Sequence, residues 1–346
     1  MTLPPIDPPQ SDPALVLRPR DRQFAADMLA VAILGFDLFR VIEERRGMSE
    51  NGLRDQFGFA ARPLDVLLTL CRASGFIRTD DGGVCRLTRC GSEHLVSSSP
   101  WFLGPYYEPI RDTQTYRDFV SVLKTDRPGH WQGDSAASDW HESMKDPTFA
   151  KSFTDLMNCR GLAFAQSMQS HLHTRLNDRK HLLDVGGGSG IYASVLARAN
   201  RSLRATVLEQ SPVDAIARQE ITRYGLDDRV DVVAADMFDG DWPACDTMLM
   251  SNLLHDWGVE KNAELLSYAA KSVCTGGQLI IHGAIVDDDK HGPLPVAEYS
   301  ALLVNITQGK CYSGQEYSAM VADAGFETIE VQRTIGDRGY VLAIKR

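Results

Sequence analysis

Nothing in these 346 residues reads as a secretory leader, a membrane span or a disulfide frame. The N-terminus, MTLPPIDPPQSDP, has no basic residues ahead of an apolar stretch, which argues against a signal peptide. The longest uncharged apolar run in the N-terminal half, Met28 to Phe36, is about half what a spanning helix needs. Basic charge is scarce: 36 Lys and Arg face 46 Asp and Glu, a net −10. That balance disfavours a nucleic-acid binder, which needs a basic face to release counterions, and docking on an anionic membrane. The seven cysteines are an odd number with no CxxC pair. They read as reduced thiols of a cytoplasmic protein, with no metal site expected.

Proline is crowded where large apolar groups are few: residues 1–22 hold six of the sixteen prolines. Such a segment cannot bury enough surface to offset its ordering entropy, so it is expected to be a disordered arm. From Phe24 to Glu44 the chain is apolar on nearly every side, which predicts one long helix buried all round, normally against a partner chain. Helices are expected over Ser49–Phe57, with Ser49 as N-cap, and over Pro63–Ser74, with Gly75 as the stop. Alternation around Asp81-Gly82-Gly83 signals a hairpin. Three helices and a hairpin over residues 23–110 spell a winged helix. Residues 1–110 contain twelve Arg, no Lys and fourteen acids, a net −2, so dimerisation explains that unit better than DNA reading.

Residues 111–178 read as a helical layer. From His181 the pattern changes to short apolar runs (HLLDV, TVLEQ, VDVVAAD, TMLMSN, QLIIHGAIV) alternating with helical segments. That is a mostly parallel α/β sheet with helices on both faces. Two terminal strands, ETIEVQR and GYVLAIK, close the chain as a hairpin. The last domain is therefore expected to span 179–346.

Glycines at 186, 188 and 190 follow the first of these strands and open a helix, with Asp184 just ahead. A dinucleotide fingerprint would want glycine at 191, where Ile stands. The tighter loop suits a nucleoside with an amino-acid tail. Glu209 ends the second strand, where it can accept from ribose hydroxyls. Asp236 ends the third, placed for an adenine amino group, with Met237 packing on the ring. Ligands of open α/β sheets bind outside these carboxyl ends. Ser251-Asn252-Leu253-Leu254-His255-Asp256-Trp257 follows the fourth strand, and an imidazole there is a natural general base.

The ordered blocks LLDVGGGSG, VLEQSPV, AADMF, SNLLHDW, GGQLII and EYSAMVADAGF resemble S-adenosylmethionine-dependent O-methyltransferases of the plant caffeate and acetylserotonin type, with their bacterial secondary-metabolism relatives. The resemblance implies a Rossmann-like class I methyltransferase domain, with a mostly parallel seven-stranded sheet, behind a winged-helix homodimerisation domain. It implies cofactor contacts from Gly186, Glu209, Asp236, Met237 and Ser251, with Asp184, Gly188, Gly190 and Trp257 completing the set, and His255 as base beside Asp256. Methyl transfer would reach a hydroxyl of a small aromatic or polycyclic acceptor, walled by Phe153, Met157, Asn252, Leu302 and Asn305.

The plant enzymes flank their histidine with two glutamates. The matching positions here are Gly283, with His282 beside it, and Cys311. That opens C- or N-methylation of an already nucleophilic acceptor, which needs less base. A metal-assisted variant on His255 and His282 lacks ligand spacing, and His282 reads better as a core histidine. A DNA-binding regulator and a nicotinamide dehydrogenase are the remaining, weaker readings.

Overall fold

The computed structural model describes residues 7–129 and 140–346. Residues 1–6 of the expected arm and 130–139 of the expected helical layer lie outside them. The chain begins with α1 (Ala14–Asp21), α2 (Ala25–Ala30), a π-helical turn (Val31–Gly35), α3 (Leu38–Glu44), β1 (Met48–Ser49), α4 (Glu50–Phe57), α5 (Ala61–Ala73), β2 (Ile77–Thr79), β3 (Val84–Leu87), α6 (Arg89–His94), α7 (Gly104–Tyr107) and α8 (Gln114–Thr125). It continues through α9 (Trp140–Ser143), α10 (Pro147–Leu176), β4 (His181–Val185), α11 (Ile191–Ala199), β5 (Arg204–Glu209), α12 (Val213–Tyr224), β6 (Val230–Ala234), β7 (Cys245–Ser251), α13 (Val259–Ser272) and β8 (Val273–Gly283). Last come α14 (Leu294–Ile306), α15 (Gly314–Asp323), β9 (Phe326–Arg333) and β10 (Gly339–Lys345). No helix among the described residues is long and apolar enough to cross a membrane.

Two compact units divide the described residues: one from Met1–Leu15, Ala137–Ile285 and Gly314–Arg346, the other from Val16–Ala136 and Val286–Ser313. This differs from the expected 179–346 domain, because 286–313 groups with the N-terminal unit. The reason is α14, which is buried on nearly every side and sends Ala297, Ala301 and Val304 into the same core as α5 and α8. The expected 111–178 layer is likewise divided. α8 buries Tyr116, Phe119, Val122 and Leu123 in that core, whereas α10 belongs to the other unit.

In the first unit the seven strands run β6-β5-β4-β7-β8-β10-β9. β4 to β8 pair in parallel, and β10 is antiparallel to both β8 and β9. The expected mostly parallel, seven-stranded sheet is therefore present. Its central strands are buried on both faces, as their continuous apolar runs require. Order reverses at β4, with β5 on one side and β7 on the other, so a crevice opens at the carboxyl ends of these strands.

The second unit is helical with a three-stranded antiparallel sheet, β1-β3-β2. The hairpin turn is held by Asp80, whose Oδ1 accepts from the Gly82 and Val84 amides. Ser49 caps α4 by accepting from Gly52. The long helix expected over Phe24–Glu44 is broken instead. The π turn ends at Gly35, where a Cβ would stand 2.9 Å from the Tyr116 hydroxyl, and Asp37 turns left-handed at φ 49°. Met28, Ala30, Val31, Ala32 and Ile33 are buried by this chain's own helices, so their burial does not itself require a partner chain.

The expected disordered arm is also corrected. α1 is an ordered helix, because Asp12 Oδ1 accepts from the Ala14 amide at 2.8 Å and Asp21 is buried. Arg18 forks onto Glu298 of α14 at 2.8 and 3.1 Å. Glu298 is 8% exposed, so removing its partner leaves a nearly buried carboxylate uncompensated. Arg18→Ala is accordingly expected to lower stability by about 1–2 kcal/mol, discounted from a fully buried pair because Arg18 is partly solvated. Denaturant unfolding checks the loss, and faster cleavage around residues 14–21 by a non-specific protease checks the ordering role.

Candidate active site

The glycine loop joins β4 to α11 at the point where sheet order reverses. Gly186, Gly188 and Gly190 take φ of 62, 57 and 72°, a region other residues enter only with strain. At Gly188 a Cβ would meet nothing within 4 Å, so the loop presents open backbone there. Glu209, at the end of β5, accepts from the Gly188 amide at 3.0 Å through Oε1 and from the Gln210 amide at 2.9 Å through Oε2. One carboxylate thus holds the loop in place and keeps lone pairs over for hydroxyls. Asp184 does not reach this surface. It has no exposure and lies beneath Gly187, where a Cβ would stand 2.8 Å from its Cγ. Its place is under the loop, and burial pushes its carboxyl up to about 7. Burial, together with the Asp214 and Asp236 charges and against the two amides, also brings Glu209 to about 7.

Asp236 follows β6 and caps the turn Met237–Asp239, accepting from the Phe238 amide at 2.9 Å. Burial alone would push it up, but that amide and a hydrogen bond to His141 bring it below the usual carboxylate value. His141 Nε2 lies 2.9 Å from Asp236 Oδ2. Its ring meets Phe238 and Trp257 edge-on, with centroids 5.7 and 5.9 Å apart. Met237 is half-buried beside them, and its carbonyl accepts from Trp242. The open glycine backbone and two carboxylates with spare acceptor capacity fit a nucleoside bearing an amino-acid tail.

The SNLLHDW block leaves β7 through Asn252, which takes a left-handed φ of 51°. Ser251 pairs in register with His282 of β8, and its Oγ lies 3.0 Å from His282 Nδ1. Asn252 donates to the Tyr192 hydroxyl and to Ser251 Oγ. His255 is 3% exposed. Burial, then the Arg338 and Arg160 charges, depress it to about 3, so it is neutral at pH 7. His282 is buried too, also neutral, and its Nε2 has no hydrogen-bond partner among the described residues. Among the described residues no third His, Cys, Asp or Glu joins the two imidazoles as a metal ligand.

Asp256 does not orient His255 by hydrogen bonding, since its Oδ1 is 3.7 Å from Nε2. Burial raises it to about 7. Position 283 does face the imidazole: a Cβ on Gly283 would stand 3.3 Å from His255 Nδ1.

Of the acceptor-wall residues, Phe153 and Met157 stand on α10 in the sheet unit. Phe153 stacks on Phe149, and Met157 Sδ is 3.0 Å from Arg160. Leu302 and Asn305 stand on α14 in the other unit, both 2% exposed. Cys311, in that unit also, donates its amide to Ser300 Oγ. Sequence reasoning missed His141, Arg160, Tyr192 and Arg338. None lies in a recognisable motif except Tyr192, which sits two residues past the last loop glycine.

Three carboxyls here keep their protons to about pH 7 when folded, against ordinary values of 3.8 for Asp184 and Asp256 and 4.5 for Glu209. The folded chain therefore binds more protons across that window, so stability falls as pH rises through it. Thermal midpoints recorded from pH 5 to 8 are expected to drop in the wild type and to drop less in Asp184→Asn. An equal slope in both proteins would contradict a neutral buried Asp184.

A model of the O-methyltransferase domain matches residues 116–327. A 3-hydroxy-5-methyl-1-naphthoate 3-O-methyltransferase of Streptomyces sahachiroi is 29% identical over 295 residues, covering 84% of each chain. An L-tyrosine C(3)-methyltransferase of Streptomyces lavendulae is 26% identical over 313 residues, covering 86% of this chain and 82% of the relative. Among solved structures, a family 2 O-methyltransferase of Planctomyces limnophilus in complex with apigenin superposes with a TM-score of 0.87 at 26% identity, over the full length of both chains. The chain belongs to the O-methyltransferase family, enzymes that take their methyl group from S-adenosylmethionine.

Proposed function

We propose that this enzyme methylates a hydroxyl of a small aromatic or polycyclic acceptor, with His255 removing the proton. The observation that carries the reading is a neutral, buried imidazole in the loop that follows β7, within the unit that carries the glycine loop, Glu209 and Asp236. The naphthoate and apigenin named with two of the relatives support an aromatic acceptor.

S-adenosylmethionine, when bound, supplies a methyl already activated on a sulfonium. This chain's residues do the rest. Gly188 would hold the amino-acid tail, Glu209 would accept from the ribose hydroxyls and Asp236 from the adenine amino group. A phenol with a pKa near 10 is a poor nucleophile at pH 7, and a base in hydrogen-bond reach gains about 10²–10⁴ in rate. His255 is in the base form throughout the neutral range. Its depressed pKa makes it a weak acceptor of protons, so it works best on a hydroxyl that is itself acidic. Phe153, Met157 and Asn252 of the sheet unit wall the acceptor in this reading and exclude water.

C- or N-methylation is the second reading. Gly283 in place of a glutamate and the weak basicity of His255 favour it, and the tyrosine C-methyltransferase relative adds support. A cytoplasmic homodimer through the N-terminal unit completes the proposal. Trp101, Leu103 and Tyr106, exposed at 61, 53 and 85%, give that unit an apolar surface to cover. A single-chain mass in solution would remove the dimer.

Calorimetry is expected to show micromolar binding of S-adenosylhomocysteine. His255→Ala should keep that affinity while turnover falls at least about tenfold, the low end of what general-base catalysis contributes. With His255 neutral well below pH 5, the wild-type rate should show no acid limb from this residue between pH 8 and 5. Full activity in His255→Ala, with the methyl found on carbon or nitrogen in the product, would move the assignment to the second reading.

A further inference from the structure

Asp236 is held from two sides. Its Oδ1 accepts from the Phe238 amide two residues along, at 2.9 Å. Its Oδ2 is bonded, at the same distance, to His141, which is 95 residues away in sequence. His141 is in turn fixed by rings. Phe238 and Trp257 stand 4.9 Å apart at 84°, and the imidazole closes against both at 76 and 67°. Lys261 Nζ lies 4.5 Å from the Phe238 ring centre and marks the outer side of the group. The His141 side chain is only 16% exposed, whereas Asp236 keeps 32%.

A carboxylate has about four lone-pair sites. Two are used here, one on each oxygen, which fixes the plane of the group and leaves the other two in defined directions. A carboxylate held only by its own turn would be free to swing. The geometry points to His141 as the positioning residue of the adenine site, locking Asp236 so that its free lone pairs meet a purine 6-amino group. The imidazole must donate from Nε2 to do so, because an ionised carboxylate only accepts. The assignment rests on the methyl-donor reading above and goes beyond it, because it makes a residue before α10 responsible for selecting the purine.

The consequence is selectivity between donor and acceptor at the purine 6-position. A 6-oxo group presents an acceptor to a fixed carboxylate and is rejected, and the rejection weakens once the carboxylate can turn aside. The test compares binding of S-adenosylhomocysteine and its 6-oxo analogue, S-inosylhomocysteine, by calorimetry. Two variants separate the hydrogen bond from the packing. His141→Phe keeps a ring against Phe238 and Trp257 but cannot donate. His141→Gln keeps a donor and gives up the ring.

For the wild type, the amino form should bind at least about 100-fold tighter, as expected when a buried polar group meets the wrong partner. In His141→Phe, affinity for S-adenosylhomocysteine should fall about tenfold, the size of one hydrogen bond to a charged group. The preference for the amino form should fall with it, and His141→Gln should restore most of that preference. KM for the methyl donor should rise in His141→Phe with kcat little changed. The proposal is overturned if His141→Phe binds both ligands like the wild type, or loses both equally so that the ratio stays fixed. A wild-type protein that binds neither ligand would overturn the methyl-donor reading itself. Wild-type binding with unchanged variants would overturn only the role of His141.

Discussion

The turn between β4 and α11 is the constraint on which the site depends. β4 is buried on both faces and sits where the sheet order reverses, so the chain must leave it abruptly and enter a helix. Three left-handed glycines achieve this, and their backbone cannot be held by side chains of its own. The hold comes from outside the loop: Glu209 of β5 ties down the Gly188 amide, and Asp184 fills the space beneath Gly187. Because β5, β6 and β7 flank or follow β4 in the sheet, their last residues arrive around the same loop. Glu209, Asp236 and Ser251 are brought to one edge by strand order alone.

Burial then sets the charge state of the site. Asp184, Glu209 and Asp256 are carried up to about 7, while His255 and His282 are carried down to about 3. Both movements favour the neutral form, as desolvation demands of acids and bases alike. Arg160 and Arg338 reinforce the effect on the histidines. Asp236 is the exception, and the reason is local: it keeps a third of its surface and gains two hydrogen bonds to its charged form. An ionised acceptor at that place suits a neutral amino donor better than a buried, protonated acid would.

Much of this was legible in the residues. Alternating apolar runs gave away the parallel sheet, because strands buried on both faces have little choice of composition. The glycine spacing and the acids at strand ends point to the edge of the sheet where strand order brings Gly188, Glu209 and Asp236. What escaped notice depends on contacts between distant segments. The π turn that interrupts the Phe24–Glu44 stretch ends at Gly35, where the Tyr116 hydroxyl leaves no room for a side chain, and Arg18 of α1 meets Glu298, 280 residues on. His141 looks like any polar residue until Asp236 is placed beside it. Segment 286–313 joins the N-terminal unit because α14 is apolar all round, which periodicity reads as burial without saying against what.

The departure at Gly283 gives the remaining step. A glutamate there would stand against His255 Nδ1, fix the tautomer and raise the basicity of the far nitrogen. Glycine contributes no carboxylate of its own there, and Asp256 Oδ1 is 3.7 Å from the other nitrogen. The charges acting on the imidazole are instead guanidinium groups, Arg338 and Arg160. Such surroundings oppose the protonation of His255 and stabilise negative charge on whatever lies next to it. The two effects work together if the acceptor gives up its proton easily.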